Sequence, residues 1–554
     1  MIRPMMIACS AAAMIMGCDG ADIQPTWGLQ DVTAEVGIAF TTEAGGEFSE
    51  EILEVNGSGG CLLDCDGDGD LDLLLANGAT LKDPDGGSGP RLYRNEIIPT
   101  GRLAFEDVTA ESGIMLARWT TGAAAADIDG DGDTDVFLTC FGPDALLVND
   151  GTGKFQITTI EEESPRRIWS TTAVPGDLDG DGDLDFYVVR YVQFDPALPP
   201  PGGAYKGTEV MGGPHGLAAE RDVLLRNDGS GVFAVESVDA TASFGLNAVI
   251  LDVDGDGLVE VIVGNDSMDN QVLTLGGDGS WKDQGARLGL ATNGDGQPQA
   301  TMGMAVGDIN GDGYADLVTT NFSSDSNTVL IGGEGGIWTD ATTRYGMWMS
   351  SRPLLGWGCV LFDLEGDGDE DLLVVNGHVY PEATQETMDS TWRQRPLLMV
   401  WNGQRFQRLP SRPGHWLDEP RLDRTLLMGD LDLDGDPDFV ITGANETVRV
   451  VRNDRSSGRR SRMAITLLDD REHGMNSAGL GAIIDVAASD RTTRHWIGSG
   501  GAFQGGHAPE AYTSAPAGDR YIDITVTWPG GEITRSRHEV SPRIIVTRSD
   551  ALEE

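Results

Sequence analysis

A nine-residue acidic pattern recurs seven times along this chain and constrains its fold more than any other feature. In the first copy, Asp64-Cys65-Asp66-Gly67-Asp68-Gly69-Asp70-Leu71-Asp72, acidic residues stand at every odd position and glycine stands at position six. Calcium prefers carboxylate and carbonyl oxygen ligands, and a glycine permits the sharp turn that directs them inward. The pattern therefore predicts a calcium-binding loop.

Comparison of the seven copies separates side-chain ligands from a backbone ligand. Positions one, three, five and nine always carry an oxygen-bearing side chain, and position six is always glycine. Position seven varies and includes leucine and tyrosine, which suits a position that offers only its backbone carbonyl. We therefore predict up to seven Ca²⁺ sites. Their predicted ligands are Asp64, Asp127, Asp177, Asp252, Asp308, Asp363 and Asp430 at position one; Asp66, Asp129, Asp179, Asp254, Asn310, Glu365 and Asp432 at position three; Asp68, Asp131, Asp181, Asp256, Asp312, Asp367 and Asp434 at position five; Asp70, Asp133, Asp183, Leu258, Tyr314, Asp369 and Asp436 at position seven; and Asp72, Asp135, Asp185, Glu260, Asp316, Asp371 and Asp438 at position nine.

Two other interpretations of the acidic pattern are weaker. A single acidic, glycine-rich stretch is compatible with a solvated loop, but seven copies in the same register are not. An EF-hand requires a glutamate at position twelve and a helix on each side. Here the last carboxylate is at position nine, and short apolar runs such as Val136-Phe137-Leu138 and Val261-Ile262-Val263 follow it. Such runs predict strands, so the EF-hand is excluded.

The order of elements within each repeat predicts an all-β fold. A small-residue strand, such as residues 122–126, leads into the acidic loop, an apolar strand follows, and two further strands complete the unit. Four-stranded units that recur at about 50 to 75 residues are typical of propeller blades with insertions. We predict a seven-bladed β-propeller over residues 27–454. Beyond it, residues 455–554 lack the acidic loop and predict a small C-terminal β-rich domain.

The charge of the chain is explained largely by the same loops. The net charge is −51, and more than a third of the 89 acidic residues lie within the seven loops. No basic face is visible, so nucleic acid is not an expected partner.

The N-terminal residues predict export. Residues 1–17 combine Arg3 with a short apolar core and read as a signal segment. It ends in Ile15-Met16-Gly17-Cys18, which resembles a bacterial lipobox and predicts lipidation of Cys18, with residues 18–26 as a tether. We expect a lipoprotein held at a membrane only by this anchor, periplasmic or at the cell surface; ordinary secretion is the alternative.

Four further cysteines lie among the repeats without a metal-binding spacing. Cys61, Cys65, Cys140 and Cys359 are interpreted as single buried thiols. A Cys61–Cys65 disulfide stays open at this point.

The repeats and the tail resemble known families. The loops resemble FG-GAP/VCBS repeats, similar to those of integrin α-subunit propellers. The near copies Asp31-Val32-Thr33-Ala34-Glu35 and Asp107-Val108-Thr109-Ala110-Glu111, with Val375-Asn376-Gly377-His378, resemble the cartilage acidic protein family. The tail resembles its ASPIC/UnbV domain in Gly479-Leu480-Gly481-Ala482, Gly498-Ser499-Gly500-Gly501-Ala502-Phe503 and Val526-Thr527-Trp528-Pro529-Gly530-Gly531. Leu433 and Glu260 depart from the usual loop residues. The resemblance implies an exported calcium-binding propeller, mostly without a known activity.

The sequence favours a binding or adhesion module over an enzyme. It contains no nucleophile elbow, zinc-protease or P-loop motif, and its seven histidines are dispersed. The alternative is an enzyme or biosynthetic accessory protein that uses the propeller channel or the face opposite the calcium loops.

Two long insertions predict where a protein or carbohydrate ligand binds. Residues 191–220 and 377–395 both follow a second strand, so they emerge on the rim opposite the calcium loops. We interpret their aromatic and amphipathic side chains as contact groups; the alternative is that both are surface insertions that the fold merely tolerates. These are Tyr191, Phe194, Tyr205, His215, Tyr380 and Trp392.

Overall fold

A computed structural model describes residues 28–46, 48–160, 166–454, 459–471 and 475–550. The predicted signal segment, Cys18 and the tether lie outside these residues. Strands form almost all of the regular structure in the described ranges, so the predicted all-β class is confirmed.

Residues 28–454 form seven antiparallel sheets of four strands each. We number them by their metal loops. Their strands are Gly60–Leu63, Asp72–Leu75, Arg91–Asn95 and Phe105–Asp107 in sheet 1; Thr120–Ala126, Asp135–Cys140, Asp144–Asn149 and Phe155–Ile160 in sheet 2; Ser170–Gly176, Asp185–Arg190, Val223–Asn227 and Phe233–Ser237 in sheet 3; Gly245–Leu251, Glu260–Asn265, Gln271–Leu275 and Trp281–Asp283 in sheet 4; Met304–Gly307, Asp316–Thr319, Thr328–Ile331 and Thr339–Asp340 in sheet 5; Gly356–Phe362, Asp371–Asn376, Leu397–Trp401 and Phe406–Arg408 in sheet 6; and Asp423–Gly429, Asp438–Gly443, Arg449–Asn453 and Leu29–Asp31 in sheet 7.

The seven sheets close into a ring. The first strand of each sheet contacts the first strand of the next, and the first strand of sheet 7 contacts that of sheet 1. The outer strand of sheet 7 comes from the other end of the chain, because Leu29–Asp31 pairs antiparallel with Val451–Asn453. The N-terminal strand therefore ties the last sheet to the beginning of the ring.

The second strands explain the apolar runs in the sequence. Every residue of Asp135–Cys140, Asp185–Arg190 and Asp371–Asn376 is buried, on both faces of its sheet. Each sheet packs face to face with its two neighbours, so these strands meet no solvent and read as continuous apolar segments. The ring is held together by these layers of buried side chains.

The helices are single turns that connect strands. The α-helical turns are Thr33–Val36, Ile97–Thr100, Thr109–Ser112, Gly285–Leu288 and Met347–Ser351, and the 3-10 turns are Ile52–Val55, Glu334–Gly336, Pro381–Thr384, Glu386–Met388 and Trp416–Asp418. No helix in the described ranges is long and apolar enough to cross a membrane.

Residues 459–550 form two further sheets. One has the strand order Glu510–Pro516, Arg460–Leu468, Arg543–Thr547, and the other has the order Thr492–Trp496, Ile483–Ala487, Tyr521–Thr527, Ile533–Glu539. Their apolar faces share one buried cluster with sheets 2 and 3, which includes Phe137, Phe186, Ile465 and Trp528. We call residues 459–550 the cap.

The four cysteines of the ring are buried and free. The expectation of single buried thiols is confirmed, and the Cys61–Cys65 disulfide does not form.

Candidate metal centres

Each acidic loop connects the first strand of a sheet to its second strand, so all seven loops lie at one end of the ring. We call this end the metal face. The position-one carboxylate organises the loop around itself. In loop one, the N–H groups of Gly67 and Gly69 donate to Asp64 Oδ1 and Oδ2 at 2.8 and 2.9 Å. The position-six N–H donates to the position-one carboxylate in all seven loops.

The glycine at position six is required by the backbone. Gly69 has a φ of +94° and Gly435 has a φ of +93°, in the left-handed region that side chains disfavour. Position four is also left-handed, and in loop seven it is occupied by Leu433 at φ +63°. The departure noted in the sequence is therefore a strained position.

The position-nine carboxylate fastens the loop to its sheet. Asp135 accepts the N–H of Ile128 at 3.1 Å and, with its other oxygen, the N–H of Asn149 from the third strand at 2.8 Å. The first of these bonds recurs in every loop. The sequence pattern indicated position nine only as a metal ligand and did not reveal that it also accepts backbone hydrogen bonds from the loop and the third strand.

Five loops bring three carboxylates together at metal-binding distance. In each, three carboxylate oxygens lie within 4.8 Å of one another. The groups are Asp64, Asp66 and Asp72; Asp127, Asp129 and Asp135; Asp177, Asp179 and Asp181; Asp252, Asp254 and Glu260; and Asp430, Asp432 and Asp438. In loop five, Asn310 takes the place of a carboxylate and its Nδ2 donates to Asp312 Oδ2 at 2.9 Å.

The position-three carboxylates hold buried oxygens that no protein group satisfies. Oδ1 of Asp66, Asp129, Asp254 and Asp432 is buried and has no hydrogen-bond partner in the described ranges. Buried polar atoms in native proteins are normally paired, and an unpaired oxygen beside other carboxylates fits a cation. The donor set is all oxygen, as a hard divalent cation such as calcium requires. The residues present therefore fit calcium.

The electrostatics of the loops also favour a bound cation. Burial, followed by the charge of neighbouring carboxylates, raises the pKa of Asp135 and Asp185 to about 7. Burial likewise raises the pKa of Glu260 and Asp316 to about 7. Without a cation these groups hold protons near neutral pH, and a bound cation would replace those protons.

Arginine side chains of the cap contact the metal face. Arg462 Nη1 pairs with Asp436 at 2.5 Å, and its Nη2 donates to the carbonyl of Leu364 at 2.7 Å. Arg491 pairs with Asp369 at 2.8 Å. Asp436 and Asp369 occupy position seven, where only the backbone carbonyl is a predicted metal ligand. Their side chains are therefore available to hold the cap. Residues 455–554 contain arginine but no lysine, and this composition is the signal in the sequence for such contacts.

A segment of the cap fills the channel along the ring axis. Gly505–Gly506 pairs in parallel with Gly60 and Cys61 of sheet 1. At its tip the ring of Phe503 lies 4.7 Å from that of Trp357, and Thr425 donates to the Phe503 carbonyl at 2.9 Å. We call residues 498–508 the plug. In the sequence, residues 498–503 stand out only by their resemblance to the ASPIC/UnbV domain, and no pattern places them in the channel.

The plug does not form a nucleophile–base pair. Met428 N–H donates to His507 Nδ1 at 3.2 Å, so the proton of the neutral ring is on Nε2. Burial lowers the pKa of His507 to about 4. Ser499 Oγ has no partner among the described residues. In this tautomer the Nε2–H of His507 is a hydrogen-bond donor, and the lone pair of Nδ1 is engaged by the Met428 N–H.

At the opposite end of the ring, which we call the free face, the two insertions pack on each other. The first insertion contains a hairpin, Gly203–Tyr205 and Thr208–Val210. The Tyr205 and Tyr380 rings lie 5.8 Å apart, and Lys206 Nζ donates to the Met388 carbonyl at 2.9 Å. The two insertions therefore form one surface.

The prediction that Tyr191 and Phe194 are contact groups on the outer surface of the insertions is wrong. Both are only 2% exposed and pack against Trp169 in the core of the ring. An aromatic residue in an insertion looks the same in the sequence whether it faces solvent or the core. Tyr205, Tyr380 and Trp392 are half-buried, and His215 is exposed.

His378 has a structural role, as expected. It is buried, its Nδ1 accepts the N–H of Tyr380 at 3.0 Å, and its Nε2–H therefore donates to Ser323 Oγ at 2.8 Å. Burial lowers its pKa to about 3, so the ring is neutral.

Comparisons with known proteins agree with the loops. A model of the FG-GAP-like repeat matches residues 64–138, 127–188, 252–319 and 308–374. These matches leave the cap uncovered, so the ASPIC/UnbV resemblance gains no support from them. A comparison with curated proteins found no significant match.

Among solved structures, an Agrocybe aegerita lectin in a study of non-reducing terminal N-acetylglucosamine recognition is 18% identical, with a TM-score of 0.39, over 67% of this chain and 86% of that one. Rhamnogalacturonan lyase YesW is 14% identical, with a TM-score of 0.37, over 75% and 74%. A Bacillus licheniformis rhamnogalacturonan lyase is 14% identical, with a TM-score of 0.36, over 74% and 75%. At TM-scores this low we draw no argument from them. The chain carries FG-GAP-like repeats, and its acidic loops are the parts of those repeats that fit a metal ion.

Proposed function

We propose that this chain is an exported, calcium-binding, seven-bladed propeller that acts as a non-catalytic binding module and receives its ligand on the free face. The observation that carries the proposal is the placement of the cap. It covers loops on the metal face and fills the channel from that side, which leaves the free face for a partner.

The calcium sites support this role by making the ring rigid. Each loop joins two strands, and in all seven sheets its position-nine carboxylate also accepts a hydrogen bond from the third strand or from the residue directly after it, in sheet 4 from the hydroxyl of Thr274. A cation shared by these carboxylates would fix three strands of a sheet together. Insertions on a rigid scaffold are well suited to binding, because little conformational entropy is lost when a ligand is bound.

We propose the domain boundaries along with the function. Residues 27–454 are the propeller, and residues 455–554 are the C-terminal β domain that contains the cap. The ligand is a protein or a carbohydrate, and adhesion at the cell surface is the process that this arrangement suits.

To test which face of the ring binds the ligand, three forms of the protein are applied to an array of immobilised polysaccharides and glycoproteins. The first is the wild type, and the second replaces Gly203–Val210 by a short glycine turn. The third, the control, is Tyr521→Ala at a 47% exposed residue of the cap. We expect the hairpin variant to lose binding and the control to keep it, while both retain calcium-dependent melting.

Binding that survives the hairpin change and disappears in Tyr521→Ala would place the ligand on the cap and refute the proposal. No binding by the wild type would also count against it. Shortened polysaccharide chains after incubation would favour the enzyme alternative.

We also propose that Cys18 is lipidated and anchors the chain outside the cytoplasm. The support is the lipobox-like sequence before it. Mass spectrometry of the mature N-terminus tests this, because an unmodified N-terminus or one that begins elsewhere would leave secretion without an anchor.

A further inference from the structure

A small cavity opens at the end of the channel on the free face. Its floor is formed by Leu246, Met302 and Trp357, which lie at or just before the beginnings of first strands. Its roof comes from both insertions, through residues 211–214 and Tyr380. The metal loops follow the other ends of the same strands, so this cavity and the metal sites lie at opposite ends of the ring.

The cavity contains a buried hydrogen-bond donor that the protein does not use. Asn56 is 4% exposed, and its Nδ2 has no partner in the described part of the chain. A buried amide of this kind is normally paired with protein, water or ligand, because an unpaired buried donor destabilises the fold. The Asn56 amide is therefore available to an acceptor, water or ligand, that occupies the cavity.

The same cavity is lined by a carboxylate with acceptor capacity to spare. Asp266 Oδ2 accepts the hydroxyl of Tyr191 at 2.5 Å, and Oδ1 accepts that of Ser267 at 2.8 Å. Each carboxylate oxygen can accept a second hydrogen bond. Asp266 forms no ion pair with the residues that the structure describes, although His215 lies near enough for a positive charge on its ring to oppose the rise in the Asp266 pKa that burial causes.

Four aromatic side chains contribute to the lining, beside aliphatic residues such as Ile52 and Val379. Tyr191, Phe322, Trp357 and Tyr380 line the cavity. Phe322 and Tyr380 remain partly exposed, which places the rim of the cavity at the surface. Aromatic walls with a few polar groups are typical of pockets for small organic ligands.

We propose that this cavity binds a single sugar ring at the end of a glycan. The inference rests on the proposed function, since it names the ligand class for the free face. A sugar hydroxyl accepts a hydrogen bond from the Asn56 amide and also donates one to Asp266. A simple cation would satisfy only Asp266, and a simple anion only Asn56. The C–H faces of a pyranose pack on aromatic rings, and the partly exposed Phe322 and Tyr380 offer such rings at the rim of the cavity.

The test is isothermal titration of the calcium-loaded full chain with methyl glycosides of glucose, galactose, mannose, rhamnose and N-acetylglucosamine. We expect at least one to bind the wild type, and Asn56→Ala and Asp266→Asn each to weaken its binding tenfold or more. The matched control is Gln407→Ala, an exposed amide on the outer strand of sheet 6, which should bind as the wild type does.

A second readout separates ligand binding from a structural role of Asn56. Because no group in the described part of the chain pairs with Asn56 Nδ2, Asn56→Ala should melt at the same temperature as the wild type or higher. A structural role predicts a lower melting temperature, and that result would contradict the proposal.

Three other outcomes would overturn the sugar pocket. They are no binding of any glycoside, equal binding by both variants and the wild type, and displacement of a bound glycoside by tetramethylammonium, which would indicate a cation site. If glycosides fail while array binding still depends on the Gly203–Val210 hairpin, only the pocket is refuted and the proposed function stands.

Discussion

The substitution Asp135→Asn should stabilise the protein without calcium and destabilise it with calcium. Asparagine keeps the shape of the side chain but removes its charge. Asp135 accepts two backbone N–H groups, and asparagine has one acceptor oxygen, so one N–H loses its partner. That loss costs about 1–3 kcal/mol.

When no metal is bound, removing the charge of Asp135 increases the free energy of unfolding. Burial raises the pKa of Asp135 from 3.8 to about 7. At a pH of about 8, ionising this carboxylate in the folded protein therefore costs on the order of 4 kcal/mol. The neutral asparagine avoids that cost. The net expectation for the metal-free protein is a gain of about 1–3 kcal/mol.

Calcium reverses the sign of the stability difference between Asp135→Asn and the wild type, because the variant loses one calcium site. At free calcium about 1,000-fold above the dissociation constant, an occupied site adds about 4 kcal/mol to the free energy of unfolding. The wild type gains this from loop two and the variant does not. With calcium, Asp135→Asn should therefore be less stable than the wild type by about 1–3 kcal/mol.

Urea unfolding at a pH of about 8, in calcium and in excess EGTA, measures the change in the free energy of unfolding under both conditions. The matched control is Asp133→Asn in the same loop, whose side chain makes no hydrogen bond in the described ranges and whose predicted ligand atom is its backbone carbonyl. It should change the free energy of unfolding by less than about 1 kcal/mol in either buffer. Equal destabilisation by Asp135→Asn in both buffers would show that position nine is a hydrogen-bond acceptor and no metal ligand.

The remaining predictions concern pH, the plug and the cap. The position-nine carboxylates of Asp135 and Asp185 have folded pKa values raised by burial above those of the unfolded chain, so their contribution to metal-free stability is complete below a pH of about 4 and is lost as the pH rises through about 7. Thermal melts of the metal-free protein across this range should show falling stability, and a rise would contradict the assignment. Gly59→Ala should lower the free energy of unfolding by about 3 kcal/mol, because its Cβ would lie 1.8 Å from the Gln504 carbonyl oxygen of the plug. Gly498→Ala, which meets nothing within 4 Å, is the matched control and should be nearly neutral in the same urea melts. Arg462→Met should cost about 3 kcal/mol, because it leaves Asp436 buried without its partner, and Asp436→Leu in the same chain should restore much of that loss. Hydrogen exchange of residues 459–550 would register this loosening of the cap, and unchanged exchange would contradict it.

The local parts of this fold were predictable from the sequence because their information is local. A metal loop carries its ligands within nine residues, and the strand after it is buried on both sides, so both leave a direct pattern. The acidic loops and strands such as Asp135–Cys140 lie where the sequence placed them.

The long-range parts were not predictable in the same way. Leu29–Asp31 completes sheet 7 although its partner strand lies more than 400 residues away. A hint existed, because the segment around Asp31 copies the one around Asp107, in the outer strand of sheet 1. The contacts of Arg462 and Arg491 with the loops depend on the packing of the cap, which no short pattern encodes.

The most direct test of the central claim is the number of calcium ions bound per chain. Protein purified in calcium, passed through a desalting column and measured by inductively coupled plasma mass spectrometry should carry at least five calcium ions, one for each loop with three converging carboxylates, and up to seven. Asp135→Asn should lower that number by one, and Asp133→Asn should leave it unchanged. A chain that carries no calcium, or a count that Asp135→Asn does not reduce, would contradict the assignment of the acidic loops as calcium sites.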